Sequence, residues 1–291
     1  MPSRFIKSLY FDTLKVMKEE FTQLIGEKEG PTSIILAGVH GDEKCGVEAF
    51  KKLLPNLQIE KGRVWFGYGN PRAIEENKRF TEANLNRMFK GDEELSKKDK
   101  NSYEYKRAQF LKKYLNKSDM LLDIHATSNP NSKPFIICET NAKGIVEYLP
   151  VNLIVYGFNQ VEPGGTDYYM NSIGRIGICL ECGYSGNTQS TKKAEESILA
   201  FLQARGHIEK KVEAYEQSYI RMYSLYLTKT NNFTLSKPFD DFEEVQENEV
   251  IGIDGEKEVR AKKRSVILFA KDREQSGDEA FLLGEQINSI A

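Results

Sequence analysis

The sequence predicts an α/β fold, in which a mixed, mostly parallel central sheet carries helices on both faces and a small β-domain follows. Two observations support this prediction. Up to about residue 212, short apolar runs alternate with segments whose apolar residues recur at helical spacing. After residue 212, the apolar runs are short and β-like, and no helical pattern is convincing. We therefore expect two domains, an α/β domain over residues 1–212 and a small β-domain over residues 213–291.

The first elements are a strand, a turn and a helix. SIILAGVHGDE (33–43) is an apolar run that enters a turn containing glycine, and CGVEAFKKLL (45–54) has apolar residues at helical spacing. RVWFGYGN (63–70) predicts a second strand, and SYEYKRAQFLKKYL (102–115) predicts a second helix. DMLLDIHATS (119–128) predicts a third, buried strand. Strands and helices thus alternate, as they do in parallel sheets covered by helices.

The later elements continue this alternation and then depart from it. Three further strands are predicted at KPFIICET (133–140), NLIVYG (152–157) and GRIGICLECG (174–183). TKKAEESILAFLQARG (191–206) predicts a strongly amphipathic helix that ends at its final glycine. Beyond residue 212, the β-like runs are YIRMYSLYLT, EEVQENEVIGIDG and RSVILFA. These runs predict the small β-domain.

The composition excludes several classes of protein. Hydrophobic residues make up 40% of the chain and charged residues 29%, as is typical of a soluble globular protein with a real core. The formal net charge is −2 and the basic residues are scattered, so we expect no nucleic-acid partner. No run of about 18 apolar residues occurs, and the N-terminal MPSRFIKSLYFDTL lacks an apolar signal segment. We therefore expect no membrane association and a cytoplasmic location.

The four cysteines are too few and too scattered for a disulfide scaffold, so we expect reduced thiols at Cys45, Cys138, Cys179 and Cys182. Cys179 and Cys182 form a CxxC pattern around Glu181, which also occurs in redox and metal sites. No second CxxC exists, however, and the pair lies in a strand-like run. The pattern therefore favours buried apolar residues.

Only three histidines occur, and two of them lie where strands are predicted to end. In an open α/β sheet, reactive groups gather beyond the carboxyl ends of the strands. His40 precedes Glu43 by three residues, and His125 would complete the set of two histidines and one carboxylate that binds catalytic zinc. A single histidine at a strand end is more often a hydrogen-bonded residue, and an HxxE pattern alone is weak evidence. His207 is expected at the surface near a helix end.

Asp123 lies two residues before His125 on the same predicted strand, so both side chains point to one face of the sheet. Metal-bound histidines usually donate their second ring N–H to a carboxylate or a carbonyl. Asp123 is therefore a candidate to orient His40 or His125. From the residues alone, a solvated aspartate at a strand end is an equal alternative.

Four motifs occur in order along the chain: GVHGDE, NPRAIEENKRFTEANLNRMF, DIHATS and LECG. In order and spacing they resemble the aspartoacylase and succinylglutamate desuccinylase family of zinc hydrolases, whose catalytic domain is similar to that of the zinc carboxypeptidases. The resemblance covers roughly residues 31–206, with a weaker similarity at GDEAFLLGE in the C-terminal β-domain. It implies a zinc carboxypeptidase-like fold, with one zinc ion per chain on His40, Glu43 and His125.

The resemblance also implies roles for residues outside the ligand set. Glu181 in LECG would activate the attacking water, and Arg79 in NKRF would polarise the scissile carbonyl. Asn86 and Arg87 in NLNR would hold a substrate carboxylate, and Arg175 would recognise a second carboxylate on the acyl portion. Without the resemblance, Glu181 is equally well a salt-bridge partner, and the arginines belong to solvated loops or to an exposed strand start.

Two departures from the family pattern affect the expected substrate. The family commonly has aspartate where this chain has Asn84, which removes a charge that could support the neighbouring arginines. Aspartoacylase itself uses a tyrosine of its C-terminal domain to contact substrate, whereas no tyrosine follows Tyr226 here. The second departure weakens a strict aspartoacylase assignment.

Three functions are compatible with these residues. The first is a zinc-dependent hydrolase of small N-acyl amino acids, for which we expect acidic substrates, and its β-domain caps the active-site cleft. The second is a metallocarboxypeptidase that acts on peptides or cell-wall fragments, and the third is a zinc-binding homologue without catalysis. The resemblance favours the first. No motif names the acyl group or the amino acid, and the oligomeric state is open, a homo-oligomer included.

Overall fold

The structure is a computed structural model and describes residues 21–289. The N-terminal segment MPSRFIKSLYFDTL, for which no signal sequence is predicted, lies outside the described residues. The strands are β1 (Thr22–Ile25), β2 (Lys28–Ala37), β3 (Lys61–Tyr68), β4 (Met120–Thr127), β5 (Phe135–Cys138), β6 (Leu153–Tyr156), β7 (Ile176–Tyr184), β8 (Ser218–Leu227), β9 (Phe233–Leu235), β10 (Glu243–Val245), β11 (Val250–Asp254), β12 (Lys257–Arg260), β13 (Ser265–Leu268) and β14 (Glu279–Ile287).

The helices lie between the strands of the first part of the chain. They are α1 (Cys45–Leu53), α2 (Pro71–Glu76), α3 (Lys97–Asn101), α4 (Tyr103–Leu115), α5 (Lys143–Val146), α6 (Phe158–Val161), α7 (Thr166–Ser172) and α8 (Thr188–Ala204). Short 3-10 helices occur at Leu85–Arg87, Asp92–Glu94 and Thr140–Ala142. The strands and the longer helices predicted from the sequence are confirmed, and none of the short helices was predicted.

An 11-stranded sheet runs through the molecule in the order β1-β3-β2-β4-β7-β5-β6-β8-β14-β13-β10. The pairs β3-β2, β2-β4, β4-β7, β5-β6 and β6-β8 are parallel, whereas β5 runs antiparallel to β7. The strands from β14 onward in this order are antiparallel to their neighbours, and β12, β11 and β9 form a second, three-stranded sheet. The predicted mixed α/β sheet is confirmed.

The main sheet continues across residue 212, because β8 pairs in parallel with β6, which is the last strand that the first 212 residues contribute to the sheet order. Between residues 213 and 289 the chain forms strands and no helix, as predicted. The C-terminal segment thus extends the sheet of the first segment. The boundary at residue 212 stays a prediction.

Both faces of the sheet are covered. In β2, Ile35 and Ala37 belong to the apolar cluster that includes residues of α1 and α8, whereas Ile34 and Leu36 belong to the cluster that includes residues of α4 and α7. All four side chains are fully buried. Because successive side chains of a strand point to opposite faces, burial of both faces explains why this strand is a continuous apolar run.

Asparagine side chains cap two helices, one of which begins earlier than predicted and one of which was not predicted. Helix α8 begins at Thr188, three residues before the predicted start, and Asn187 accepts a hydrogen bond from the backbone N–H of Gln189 at 2.9 Å. Asn70 was predicted only to end a strand, but it caps α2 by accepting a hydrogen bond from Ala73 at 3.1 Å. Asparagine at a helix N-terminus satisfies backbone donors that the helix itself leaves free.

The prediction for His207 is wrong. Its side chain is fully buried, with Nδ1 2.9 Å from the carbonyl oxygen of Lys61 and Nε2 2.8 Å from the hydroxyl of Ser33. After Gly206 the chain turns back, and the backbone N–H of Glu60 donates to the carbonyl of His207 at 2.8 Å. The histidine therefore fixes the end of α8 to the start of β3 and takes no part in the candidate site.

Candidate active site

The candidate site lies at the carboxyl ends of three adjacent parallel strands. Strand β2 leads into the turn that carries His40 and Glu43, β4 carries His125, and β7 carries Glu181. His125 and Glu181 are direct partners in the β4-β7 register. Because parallel strands end at the same edge of a sheet, residues that are far apart in sequence converge there.

Glycines allow the turn after β2 to pack closely. Gly38 has a φ of +66°, which favours glycine, and a Cβ at Gly41 would lie 2.0 Å from the backbone carbon of Ala73. The turn thus packs directly against α2. This close contact fixes the positions of His40 and Glu43.

Glu43 joins the two histidines. Its Oε1 lies 2.8 Å from Nδ1 of His40, its Oε2 lies 2.9 Å from Nδ1 of His125, and it accepts a hydrogen bond from the backbone N–H of Ala126 at 3.2 Å. All three side chains are buried. The sequence prediction that two imidazoles and one carboxylate converge is met by this geometry.

The three residues fit a metal ion. One potential ligand atom from each of His40, Glu43 and His125 lies within 4.8 Å of the others. The charges of Asp123 and Glu43 outweigh the opposing effect of burial and hold the pKa of His125 well above its usual range. A buried imidazole that is stabilised in its cationic form marks a negative environment, which also favours a bound cation. This group could therefore bind a metal ion, and its donor set is the one that catalytic zinc uses.

Asp123 and Asn84 flank the two imidazoles. The fully buried Asp123 has Oδ2 3.1 Å from Nε2 of His125, and the hydroxyl of Thr166 donates to the same carboxylate. Of the two histidines that the sequence allowed for Asp123, the structure brings it to His125. Asn84, which stands where the family commonly has aspartate, has Oδ1 3.1 Å from Nε2 of His40. Its side chain therefore contacts a histidine rather than the neighbouring arginines.

Glu181 is a buried carboxyl group beside the histidines. Its Oε2 has no hydrogen-bond partner among residues 21–289, a costly arrangement for a buried polar atom unless something else binds it. Burial, together with the charge of Glu43, raises the pKa of Glu181 to about 8. A group with a pKa near neutrality can both accept and return a proton.

Arg79 reaches the same cluster from the loop after α2. Its guanidinium donates a hydrogen bond to Oε1 of Glu43 at 2.8 Å, while 47% of its side chain remains exposed to solvent. Its backbone carbonyl accepts from the N–H of Gly41 at 3.3 Å. The guanidinium is therefore fixed at one end and open to solvent at the other.

Glu104 is a residue of the site region that was not predicted. It is fully buried on α4 and accepts hydrogen bonds from the backbone N–H groups of Thr81, Glu82 and Ala83, the shortest at 2.8 Å, and from the side chains of Thr81 and Asn70. These bonds fix the loop between Arg79 and Asn84. In the sequence, an acidic residue in the first turn of a helix is explained sufficiently by the helix dipole, so it gave no signal of this role.

Arg87 is paired within the protein. Its Nε and Nη2 donate to the two carboxylate oxygens of Glu279 at 2.7 and 2.6 Å, and Nη2 also contacts Glu162. The two acidic residues outweigh burial and raise the pKa of Arg87, whereas burial and the charge of Glu279 raise the pKa of Glu162 to about 8. Asn86 accepts a hydrogen bond from the backbone N–H of Thr166 at 3.2 Å. The predicted carboxylate-binding arginine therefore already holds the carboxylate of Glu279, which sequence motifs could not show.

The structure does not bring Arg175 to this site. Arg175 precedes β7, whereas Glu181 lies six residues further along it, which corresponds to roughly 20 Å at the usual rise of a strand. The guanidinium of Arg175 donates to the backbone carbonyls of Ser118 and Asn116 instead. The expectation of a substrate contact at Arg175 is corrected accordingly.

A cavity of about 1070 Å³ opens above the cluster. Its wall includes His40, Glu43, Arg79, Glu181 and residues of the C-terminal segment: Asp241, Phe269, Ala270, Lys271, Arg273 and Glu279. The size is suitable for a small organic molecule. Residues from both predicted domains therefore line one cavity.

The cysteines behave as buried apolar residues. All four are free and buried, and the thiol of Cys45 donates to the backbone carbonyl of His125 at 3.4 Å. Burial raises the pKa of the Cys179 thiol well above its usual range, which disfavours the reactive thiolate. The interpretation of the CxxC pattern as structural is consistent with this setting.

Across residues 21–289, the helices are all too short or too polar to cross a lipid bilayer.

Comparison with known proteins gives one family model, several sequence relatives and several solved structures that are similar to this chain. Residues 29–205 match the family model described as succinylglutamate desuccinylase/aspartoacylase catalytic domain. The succinylglutamate desuccinylase of Pseudomonas putida is 40% identical over 67 residues, and a probable aspartoacylase of Trichodesmium erythraeum is 29% identical over 171 residues. These matches cover 22% and 51% of this chain. They span about a fifth and about half of the length of the two relatives, 20% and 54%.

Solved structures show the similarity of fold. The succinylglutamate desuccinylase from Vibrio cholerae aligns with a TM-score of 0.78 at 19% identity, covering 92% of this chain and 86% of that one. The succinylglutamate desuccinylase/aspartoacylase from Rhodobacter sphaeroides aligns with a TM-score of 0.70 at 21% identity, covering 92% and 89%. The similarity extends over the C-terminal strands as well as the catalytic region.

Proposed function

Because the chain belongs to the succinylglutamate desuccinylase/aspartoacylase family of hydrolases, we propose that it is a zinc-dependent enzyme that cleaves the amide bond of small N-acylated amino acids. The observation that carries the proposal is the convergence of His40, Glu43 and His125 beside the unpartnered carboxyl group of Glu181. The cavity of about 1070 Å³ above them has room for a small organic substrate.

We propose that His40, Glu43 and His125 hold one zinc ion per chain. When bound, zinc supplies Lewis acidity that polarises a carbonyl group and makes water a stronger acid. Asp123 would keep the ring of His125 in the orientation that binding requires, and Asn84 would do the same for His40.

The proton transfers are assigned to Glu181. Its carboxylate would accept a proton from the attacking water and return it to the leaving nitrogen, a role that suits its raised pKa and its burial beside His125. Arg79 would donate a hydrogen bond to the oxygen of the scissile carbonyl as negative charge develops there. Its exposed end faces the cavity, and its contact with Glu43 places it next to the cluster.

One substrate carboxylate is assigned to the Asn86–Arg87 pair. Since Glu279 holds Arg87 through two hydrogen bonds, a substrate carboxylate would have to replace Glu279 on the guanidinium. Residues 213–291 would form the β-domain that caps the cavity and keeps long peptides out, in agreement with the C-terminal residues in its wall.

A substrate panel tests this function. Zinc-loaded protein is assayed with N-acetyl, N-succinyl and N-formyl amino acids and with dipeptides, and we expect hydrolysis of acyl amino acids. The metal content should be about one zinc per chain and should be lost in His40→Ala. Faster cleavage of dipeptides than of every acyl amino acid would indicate a metallocarboxypeptidase. Zinc without hydrolysis of any substrate would indicate a binding protein.

A further inference from the structure

The basic residues in the wall of the cavity differ in whether they have partners. Arg79 is paired with Glu43, and Arg87 is paired with Glu162 and Glu279. The ammonium group of Lys271, in contrast, forms no hydrogen bond or salt bridge with any residue between 21 and 289.

Lys271 is held at a defined place in the wall. It lies three residues beyond β13, and its backbone N–H donates to the carbonyl of Ala280 on β14 at 2.9 Å. Arg273 follows it, and the Nε of Arg273 donates to the backbone carbonyl of Glu279 at 2.6 Å. Both side chains line the cavity that contains the histidine cluster. Backbone pairing between two strands therefore presents two cations to the same space.

Two cations and two anions lie near Lys271, and the cations Arg79 and Arg273 have the larger effect on its pKa. The side chain of Lys271 is exposed to solvent; partial burial, Arg79 and Arg273 lower its pKa, and the charges of Asp241 and Glu43 oppose this only in part. Basic groups near one another repel, and the cost is relieved when an anion binds between them. Glu43 cannot act as that anion, because it already joins His40, His125 and Arg79.

We propose that Lys271 is the anchor for a substrate carboxylate, on the side of the cavity where Arg79 meets the scissile carbonyl. The inference rests on the proposed amide hydrolysis and deepens it by naming a residue that determines specificity. Two carboxylates fit this position, because they lie the same number of bonds from the scissile carbonyl carbon. One is the terminal carboxylate of a dicarboxylic acyl group such as succinyl, and the other is the α-carboxylate of the amino acid.

The test compares three probes on wild-type protein and Lys271→Met. N-succinyl-norvaline carries both carboxylates, N-butyryl-norvaline lacks the acyl carboxylate, and N-succinyl-butylamine lacks that of the amino acid. We expect Lys271→Met to lower kcat/KM for N-succinyl-norvaline at least tenfold. Of the two probes with one carboxylate, the probe that lacks the carboxylate bound by Lys271 should be hydrolysed at the same rate by both proteins. The carboxylate missing from that probe is the one that Lys271 binds.

Two variants control for other effects. Lys271→Arg keeps the charge and should recover most of the activity, whereas Lys262→Met removes an exposed lysine outside the cavity wall and should change nothing. Equal losses for all three probes in Lys271→Met would overturn the inference, because a carboxylate anchor acts only on probes that carry the carboxylate. Unchanged rates for all three would overturn it as well.

A binding measurement separates this inference from the proposed function. If wild-type protein hydrolyses none of the probes, the proposed function fails, and calorimetric titration with succinate then tests Lys271 without catalysis. At least tenfold weaker succinate binding by Lys271→Met than by wild type supports the anchor. Equal affinity overturns it.

Discussion

Glu181 combines burial, an unpartnered oxygen and a pKa raised to about 8. At the scale of single residues this combination distinguishes it from the many carboxylates that form surface salt bridges. We expect Glu181→Gln to lower kcat by about 10³-fold or more, since general acid–base catalysis contributes roughly 10²–10⁴-fold. Zinc content should stay at the wild-type value, because Glu181 is not a proposed ligand. Measured kcat within tenfold of wild type would contradict the assignment.

Arg79 should affect the rate more than the binding of metal. In Arg79→Met, kcat should fall about 10²-fold because one donor to the developing negative charge is lost. Steady-state kinetics and metal analysis check this result. Arg72→Met is the matched control, because Arg72 is also a half-exposed arginine but pairs with Glu82 instead of Glu43. A large loss of zinc in Arg79→Met would show that the arginine mainly supports Glu43.

Glu162 should make stability depend on pH. An unfolded glutamate titrates near 4.3, whereas burial and the charge of Glu279 raise the pKa of folded Glu162 to about 8 despite Arg87. Between these values the folded protein holds a proton that the unfolded chain has released, so the free energy of unfolding falls as pH rises from about 4.3 to about 8 and levels off above 8. The slope from one such group is at most about 1.4 kcal/mol per pH unit.

Urea denaturation at pH 6 and pH 9 measures this effect. Glu162→Gln should lose less stability between the two values than wild type does. Glu209→Gln should behave like wild type, because the pKa of Glu209 is lowered by Lys61 and Lys28 and does not lie in this range. An identical pH dependence in Glu162→Gln and wild type would argue against a proton on Glu162.

Residue types and spacing identified the candidate metal-binding cluster but could not identify the residues that support it. His40 and His125 stand at the ends of apolar runs, which is a local signal. The role of Glu104 follows from a loop that folds onto α4, and the pairing of Arg87 with Glu279 joins residues 192 positions apart. Lys271 is one of many lysines until the cavity around it is known. Contacts of this kind depend on tertiary structure.

At the scale of elements, the backbone conformation of the loop after α2 is stabilised by a helix rather than by the loop's own residues. Glu104 of α4 holds the backbone of residues 81–83. In Glu104→Gln the charge-assisted bonds are weakened and the new amide N–H₂ faces backbone donors, so the free energy of unfolding should fall by about 2 kcal/mol. Because the loop carries Arg79 and Asn84, kcat should fall as well.

Denaturant unfolding and kinetics together test this positioning role. Glu76→Gln, on the exposed surface of α2, is the control and should change neither quantity. Glu104→Asp keeps the charge but shortens the side chain, so it should recover part of the activity. If Glu104→Gln lowers stability and leaves kcat unchanged, Glu104 serves the fold alone.

The direction of a strand was less predictable than its existence. Phe135–Cys138 is a fully buried apolar run, and its composition predicts a strand equally well for either direction. In the structure it lies antiparallel to β7 and parallel to β6. Direction follows from the path of the connecting segments, and residues 128–134 leave too little length for a helical crossover between β4 and β5. The short helices escaped prediction because they span few turns and so show little periodicity.

At the scale of the whole molecule, the two predicted domains share one sheet. Strand β8 covers the edge of β6, and an apolar cluster joins Phe135 and Val155 to Ile220 and Leu282. We expect residues 1–212 expressed alone to expose this cluster and the β6 edge. The fragment should bind hydrophobic dye and melt without a cooperative transition in circular dichroism. A cooperative melt like that of the full chain would instead show that the first 212 residues fold independently.

The pairing of Arg87 with Glu279 also has a consequence for the order in which the chain is synthesised. A ribosome that has just added Arg87 must add 192 further residues before Glu279 exists, which takes roughly 10 to 40 s at bacterial rates of elongation. During that interval the guanidinium has no partner on β14, and the wall of the cavity that β13 and β14 supply is missing. A ribosome-bound nascent chain should therefore acquire its finished substrate pocket only after release of its final strand.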